Sequence, residues 1–300
     1  MIYRIDKIHC PGKDFINIDK DEYEQIIKSK EKLFEVLYIE EKFDFILTSY
    51  EEFESELLTI ALKAVIYDNY EWDNLANDIR IMDRRIINLL SVCRLYFDHT
   101  SNSLSKLYGK QSDKYQKFQI SRNYEYDNNL AYRMMEGLRN HIQHNNLSIH
   151  KLLYSRRSKD LKKDNELLNS AAIYMAVDKL KNDNALKKKV LSELKTEDGF
   201  VDIRPYIRSY LSSITKIHDD MKKKLRRDLE KCENVYNETI EKYYNKFSHN
   251  EISIGVMRID EHKKAIDSIS ILNDVIKRRK ELEKKNSGIK FFHEVVISNK

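Results

Sequence analysis

Pro205-Tyr206-Ile207-Arg208-Ser209-Tyr210-Leu211-Ser212-Ser213-Ile214-Thr215-Lys216-Ile217-His218 opens the longest periodic run in the chain. Its apolar stripe is Ile207, Leu211, Ile214, His218, Met221, Leu225, Leu229, Cys232, Tyr236, Ile240, Tyr243 and Phe247. The steps alternate between four and three and average close to ~3.6 residues, the period of a nearly straight α-helix. Pro205 stands near a first-turn position, where its missing N–H costs little. Six Gly and two Pro in 300 residues leave few turn formers for tight hairpins, so long helices are expected throughout. The fold class that follows is mainly all-α, a helical bundle with long helices.

Upstream, Asp19 or Asp21 can cap a helix carrying Tyr23, Ile26, Ile27, Leu33, Phe34 and Leu37. A second helix follows with Phe43, Ile46, Leu47, Tyr50, Phe53, Leu57, Leu58, Ala61 and Val65. A third is expected over about 78–107, then a polar loop over 109–124. The next helix should begin near Tyr124 and end near Asn145-Asn146. Another is expected over about 166–195, with a break at Asp198-Gly199. After the long run, Ile252–Ile259 reads as a strand and 261–285 as a helix. Ile2, Tyr3, Ile5 and Ile8 at one end and Ile289, Phe291, Phe292, Val295 and Val296 at the other read as strands. These terminal strands are candidates to pair in a small sheet.

The totals bound the class. A charged fraction of 34% beside 41% hydrophobic residues describes a globular protein with a sizeable core. The net charge of +5 permits contact with a polyanion without demanding it. Cys10, Cys93 and Cys232 form no CxxC pair and fit free thiols in a reducing compartment. No apolar signal core or membrane-length apolar run is visible, so a cytoplasmic protein without membrane contact is expected. The chain has no phosphate loop of the GxxxxGK[ST] type and no GxGxxG, GxSxG, HExxH or zinc-finger cysteine pairs.

Chemistry gathers at Glu136-Gly137-Leu138-Arg139-Asn140-His141-Ile142-Gln143-His144. At about 100° per residue, Arg139, Gln143, Glu136, Asn140 and His144 fall within one polar sector. Ala131, Met135, Leu138 and Ile142 fall on the other side. Cleavage of RNA by its own 2′-hydroxyl needs a base for that proton and an acid for the 5′-oxygen. Histidine can serve either end near neutral pH, and arginine offers a planar fork for the developing charge on phosphate. His144 is therefore the candidate acid or base and Arg139 the phosphate clamp. Asn140 is placed to orient the His144 ring, and Glu136 to hold Arg139 or Asn140. One histidine does not easily serve both ends of the reaction; a second copy from a dimer partner, or His141 or His150, would supply the other.

This segment resembles the Arg-Asn-x-x-x-His signature of the HEPN superfamily, helical proteins linked to nucleic acids, many of them ribonucleases of prokaryotic immunity. The preceding helix and intervening loop also resemble that superfamily's bundle, over roughly residues 80–195. The resemblance implies metal-independent RNA cleavage with a site completed across a homodimer, in antiphage defence or a toxin role. It admits an antitoxin or companion subunit. It leads to a division into an N-terminal helical region with a short strand (1–75), a HEPN-like bundle (76–200) and a long helix with C-terminal helix and strand (201–300). The alternative is a non-catalytic helical scaffold that binds RNA or regulates a partner. There, Arg139 and Glu136 are a surface ion pair and His144 is a helix C-terminal residue favoured by the dipole.

Other candidates are weaker. Arg94 and His99 repeat the spacing and read as chance or packing. His141, His144 and His150 straddle the wheel or lie past the helix end, so no metal and no cofactor are expected. Lys222, Lys223, Arg226 and Arg227 form two basic turns within the long run. They are a solvated helix face or, read functionally, a track for an RNA backbone.

Overall fold

The periodic run forms one helix. In the computed structural model it is α7, Arg204–Tyr244, and its stripe from Ile207 to Tyr236 is buried wherever it faces the core. The structure describes residues 1–8, 14–67, 71–144, 149–160, 163–181, 186–247, 253–262, 264–288 and 291–294. Within these, residues 144, 155–160 and 163–168 are described by their backbone alone. Among the described residues the molecule is mainly helical, with eight helices and two small antiparallel sheets.

Two compact units share the chain. The first comprises Met1–Glu41, Asn102–Lys110 and Lys222–Ser287. The second comprises Lys42–Ser101, Gln111–Met221 and Gly288–Lys300.

In the first unit, β1 (Ile2–Lys7) pairs with β2 (Ile16–Ile18) and with β6 (Ile254–Ile259), and β6 pairs with β7 (Ala265–Ser270). The N-terminal strand thus joins a sheet in the order β2-β1-β6-β7. Its neighbours are internal segments: Phe292–Glu294 form a turn, and Ile289, Val295 and Val296 lie outside the described residues. Gly255 of β6 lies so close to β7 that a Cβ would fall 2.3 Å from the Ile269 carbonyl oxygen. Only glycine fits there. The helix expected over 261–285 is β7 followed by α8 (Asp274–Lys285), because 265–270 finds a free edge of β6 to pair with. Arg279 of α8 is buried and bound by Glu233 and Glu283.

The two expected N-terminal helices are one helix, α1 (Lys20–Tyr67), whose residues contribute to both units. In the second unit, α1 and α2 (Trp72–Tyr108) supply Phe43 and Tyr96, which enclose His218 of α7. The imidazole stacks on Phe43 at 3.8 Å between centroids, and its Nδ1 lies 3.0 Å from the Tyr96 hydroxyl. Arg208 of α7 donates both Nε and Nη2 to Glu54 of α1, at 2.7 and 2.8 Å.

Two expectations fail in this unit for physical reasons. The polar loop at 109–124 is mostly helix, α3 (Asp113–Asn128). Only Phe118 and Glu125 of α3 are buried, so its apolar period is too thin to see. The Ser112 side chain caps it by accepting from the Tyr115 N–H. The helix expected over 166–195 is instead a hairpin, β3 (Lys151–Asp160) and β4 (Lys163–Ala176), followed by the short helices α5 (Val177–Lys181) and α6 (Lys188–Glu193). β4 lies between β3 and β5 (Phe200–Asp202), and its Ala171, Ala172, Ile173 and Met175, which alternate between its two faces, are all buried. A strand buried on both faces has a continuous apolar run, which periodicity does not separate from a buried helix.

Candidate nucleic-acid site on α4

The motif occupies α4, Leu130–His144. It starts later than the expected Tyr124 because Asn129 interrupts the helix with extended backbone, φ −115° and ψ 113°. Asn129 closes α3 through its N–H to the Glu125 carbonyl. It also opens α4, its Oδ1 accepting from the Ala131 N–H at 2.9 Å. Its Nδ2 donates to Ser213 at 2.8 Å and to Ser209 at 3.3 Å, both on α7. Ser213 and Lys216 in turn donate to the buried Glu125 carboxylate, at 2.7 and 2.6 Å. That hydrogen bond raises the Lys216 pKa. The start of α4 is therefore pinned to α7 by a connected polar network, which fixes the direction in which the motif side chains project.

Ala131, Tyr132, Met134, Met135 and Leu138 are buried on the inner face of α4, and His141 is buried with them. Arg133, Glu136 and Arg139 are half-buried, and Asn140 and Gln143 are exposed. Arg139 donates from Nη1 to the Asn140 side-chain oxygen at 3.2 Å. Its Nε is buried and has no hydrogen-bond partner among the described residues. No carboxylate pairs with it among the described residues. Among the described residues the hydrogen-bond partner of the guanidinium is a neutral amide.

Glu136 serves neither Arg139 nor Asn140. Its Oε1 accepts from the Tyr210 hydroxyl of α7 at 2.7 Å. Tyr210 also meets Tyr132 edge to face at 5.1 Å between centroids. Burial first, then the Glu136 charge, pushes the Tyr210 and Tyr132 phenols and the Cys93 thiol of α2 well above their ordinary values. These groups stay neutral, and Tyr210 remains a donor to the carboxylate. Sequence reading misses Tyr210 because its bond to Glu136 spans 74 residues. Asn129 is legible in principle: an Asn directly before a new apolar run is a helix start.

His144 is the last residue of α4, and its side chain lies outside the described residues. Arg94 of α2 is paired to Asp98 at 2.8 Å, and His99 is exposed. Lys222, Lys223, Arg226 and Arg227 lie on the part of α7 that belongs to the first unit, whereas Arg139 and Asn140 belong to the second. Lys222 is 3.9 Å from the buried Glu40, and Arg226 pairs with Glu230 at 3.0 Å. Among the described residues, no group of three or more His, Cys, Asp or Glu is placed to hold a metal ion. Among them, too, no helix is long and apolar enough to cross a membrane.

Comparison with protein-family models, with curated proteins and with solved structures finds no match to this chain.

Proposed function

We propose that this protein is a metal-independent endoribonuclease of the HEPN type, acting as a homodimer in antiphage defence or a toxin role. The observation that carries the reading is Arg139: a half-buried guanidinium with no carboxylate partner among the described residues, on a helix fixed at its start to α7. A surface ion pair with Glu136 would have neutralised it, and Glu136 is bound by Tyr210 instead. An anchored and uncompensated fork suits a phosphate whose charge grows in the transition state.

In this reading the 2′-oxygen attacks phosphorus, the 2′-O–P bond forms and the P–O5′ bond breaks. The 2′-hydroxyl proton goes to a base, and an acid protonates the departing 5′-oxygen, with His144 in one of these roles and its copy in a second protomer in the other. Arg139 holds the non-bridging oxygens, and Asn140 keeps the guanidinium in place. Glu136 fixes α4 against Tyr210 rather than touching RNA. Lys222, Lys223, Arg226 and Arg227 hold backbone phosphates. An antitoxin or companion subunit would restrain the activity.

The test is incubation of the purified chain with mixed RNA, including tRNA, in EDTA beside Arg139→Ala and His144→Ala. The expected result is cleavage by the unaltered chain only, leaving 2′,3′-cyclic phosphate ends. Cleavage that persists in both variants overturns the site. RNA binding without cleavage, equal in all three proteins, assigns the chain instead to the scaffold reading.

A further inference from the structure

A separate cavity of about 670 Å³ lies within the second unit, at the start of α4. Its size is ordinary for a small-ligand site. Three elements build it. β-Sheet register places Tyr174 opposite Asp202, with Lys151 opposite Tyr174 on the neighbouring strand and outside the cavity lining. Side chains two residues apart share a face, so Phe200 joins this row diagonally. The first turn of α7 adds Tyr206, and the segment between α6 and β5 adds Lys195 and Glu197. The Lys195 N–H donates to the Tyr206 hydroxyl at 3.3 Å, which ties that segment to α7.

The polar groups of this cavity sort by occupancy. Asp202 is held by Arg204 at 2.7 Å, and Glu193 by Arg133 at 2.6 Å. Both helix starts at the cavity are capped from within, α7 by Asp202 and α4 by Asn129. Glu197 differs: among the described residues its carboxylate has no partner. It sits on a tight turn closed by reciprocal backbone bonds with Phe200 at 2.8 Å. Asp198 and Gly199 of that turn have positive φ, 49° and 80°. That backbone closes the turn tightly and fixes Glu197 beside Phe200. Lys151 and Lys195 likewise pair with no carboxylate among the described residues. The Lys151 ammonium is instead held over the rings of Tyr174 and Phe200, 5.6 and 5.2 Å from their centroids.

The cavity therefore offers aromatic surface, one carboxylate, that of Glu197, and one ammonium group, that of Lys195, neither with an ion-pair partner among the described residues. A ligand that uses all three has a flat π-system, two adjacent N–H donors and an anionic end. Guanine presents N1–H and the N2 amino group side by side, which matches a carboxylate fork; adenine and cytosine present one amino group beside an acceptor. We propose that this cavity is a guanine-nucleotide subsite, in which Tyr174, Phe200 and Tyr206 stack the base, Glu197 reads its edge, and Lys195 takes the phosphate. The nucleotide is either free or a guanosine within single-stranded RNA. In the second case the inference rests on the ribonuclease reading and adds a base preference to it. The subsite opens at the start of the helix that carries Arg139, nine residues or about 13 Å along its axis, a span of a few nucleotides.

The experiment uses the full chain carrying Arg139→Ala, so that cleavage plays no part. Calorimetric titrations with GMP, AMP and CMP are set beside short oligouridines bearing one central G, A or C. The expected result is a preference for G of about ten-fold or more, the value of one charged hydrogen-bond pair. Glu197→Gln abolishes the preference, and Lys195→Ala weakens GMP while leaving guanosine unchanged. Binding of GMP identifies a free nucleotide as a sufficient ligand; preference seen only with oligonucleotides identifies RNA as the source. Equal binding of the three bases overturns the assignment, as does no binding of any probe or a G preference that survives Glu197→Gln. Glu197 is exposed on a turn, so its variant tests the idea without disturbing the fold. A G-specific result together with an RNA-cleavage failure in the unaltered chain would separate this subsite from the nuclease reading.

Discussion

Arg139 and Arg226 are both helical arginines with a polar neighbour, yet their settings are opposite. Arg226 is 80% exposed and reaches one turn along its own helix to Glu230. Arg139 is half-buried, has a buried Nε and, among the described residues, hydrogen-bonds to the amide of Asn140. The first cation is already neutralised and free to move, so its charge is screened and its conformations are many. The second is half-buried, with part of its guanidinium already removed from water, and has met no opposite charge among the described residues. A phosphate arriving at Arg139 has no carboxylate to displace among the described residues; one arriving at Arg226 must displace a carboxylate and order a long exposed side chain. Burial without compensation, rather than density of positive charge, is what separates a candidate reaction site from a solvated helix face.

The largest expected effect is at Arg139. Arg139→Lys keeps the charge but removes the planar fork and its hydrogen bond to Asn140. Cleavage in EDTA should fall about 100-fold, the range for removing one transition-state donor, with the melting transition almost unmoved. If lysine supports full activity, Arg139 acts as a point charge like the residues of the basic turns, and the two arginines differ in exposure alone.

The next effect concerns what stands behind Arg139. Tyr210→Phe removes the hydroxyl that Glu136 accepts, leaving a half-buried carboxylate short of a donor, and should cost about 1–3 kcal/mol in urea unfolding. The same pair sets a pH dependence. The Tyr210 and Tyr132 phenols are raised by burial and then by Glu136, so the folded chain keeps them protonated where the unfolded chain ionises them. Their stabilisation is fully present below the unfolded phenol's value near ~10 and is lost as pH rises above it toward the folded values. Unfolding midpoints measured from about pH 9 to 11 should therefore decline, and less steeply in Tyr210→Phe. An unchanged slope in that variant would show that Tyr210 does not carry the effect.

Much of the fold is legible in the sequence and the supporting part of the site is not, for one shared reason. α7 announces itself because one stripe is buried along most of a long helix, leaving a regular period in the sequence. Arg139 and Asn140 are legible because they are sequence neighbours that touch each other. α3 buries too little to leave a period, and β4 buries so much on both faces that its period vanishes. Glu136 with Tyr210, and Asn129 with Ser213, join residues 74 and 84 apart, which no local pattern encodes. The candidate site residues are sequence neighbours; the groups that hold their helix in place are not.

The smallest expected effect is at Arg226, and it is informative because it is small. Arg226→Ala removes an exposed i,i+4 pair, worth about 0.3–0.5 kcal/mol, and puts a better helix former in its place. The two changes nearly cancel, so the urea midpoint should stay within about 0.5 kcal/mol of the parent. RNA binding is the sharper readout. If Arg226 tracks the backbone, affinity should weaken by a similar factor for every RNA sequence, and the slope of log affinity against log salt should shrink by about one for each phosphate that the variant leaves unneutralised. A large drop in stability would instead make Arg226 a structural residue like Arg279, which is buried between two carboxylates. An effect on one RNA sequence alone would place base recognition on α7 and undo its reading as a passive, solvated track.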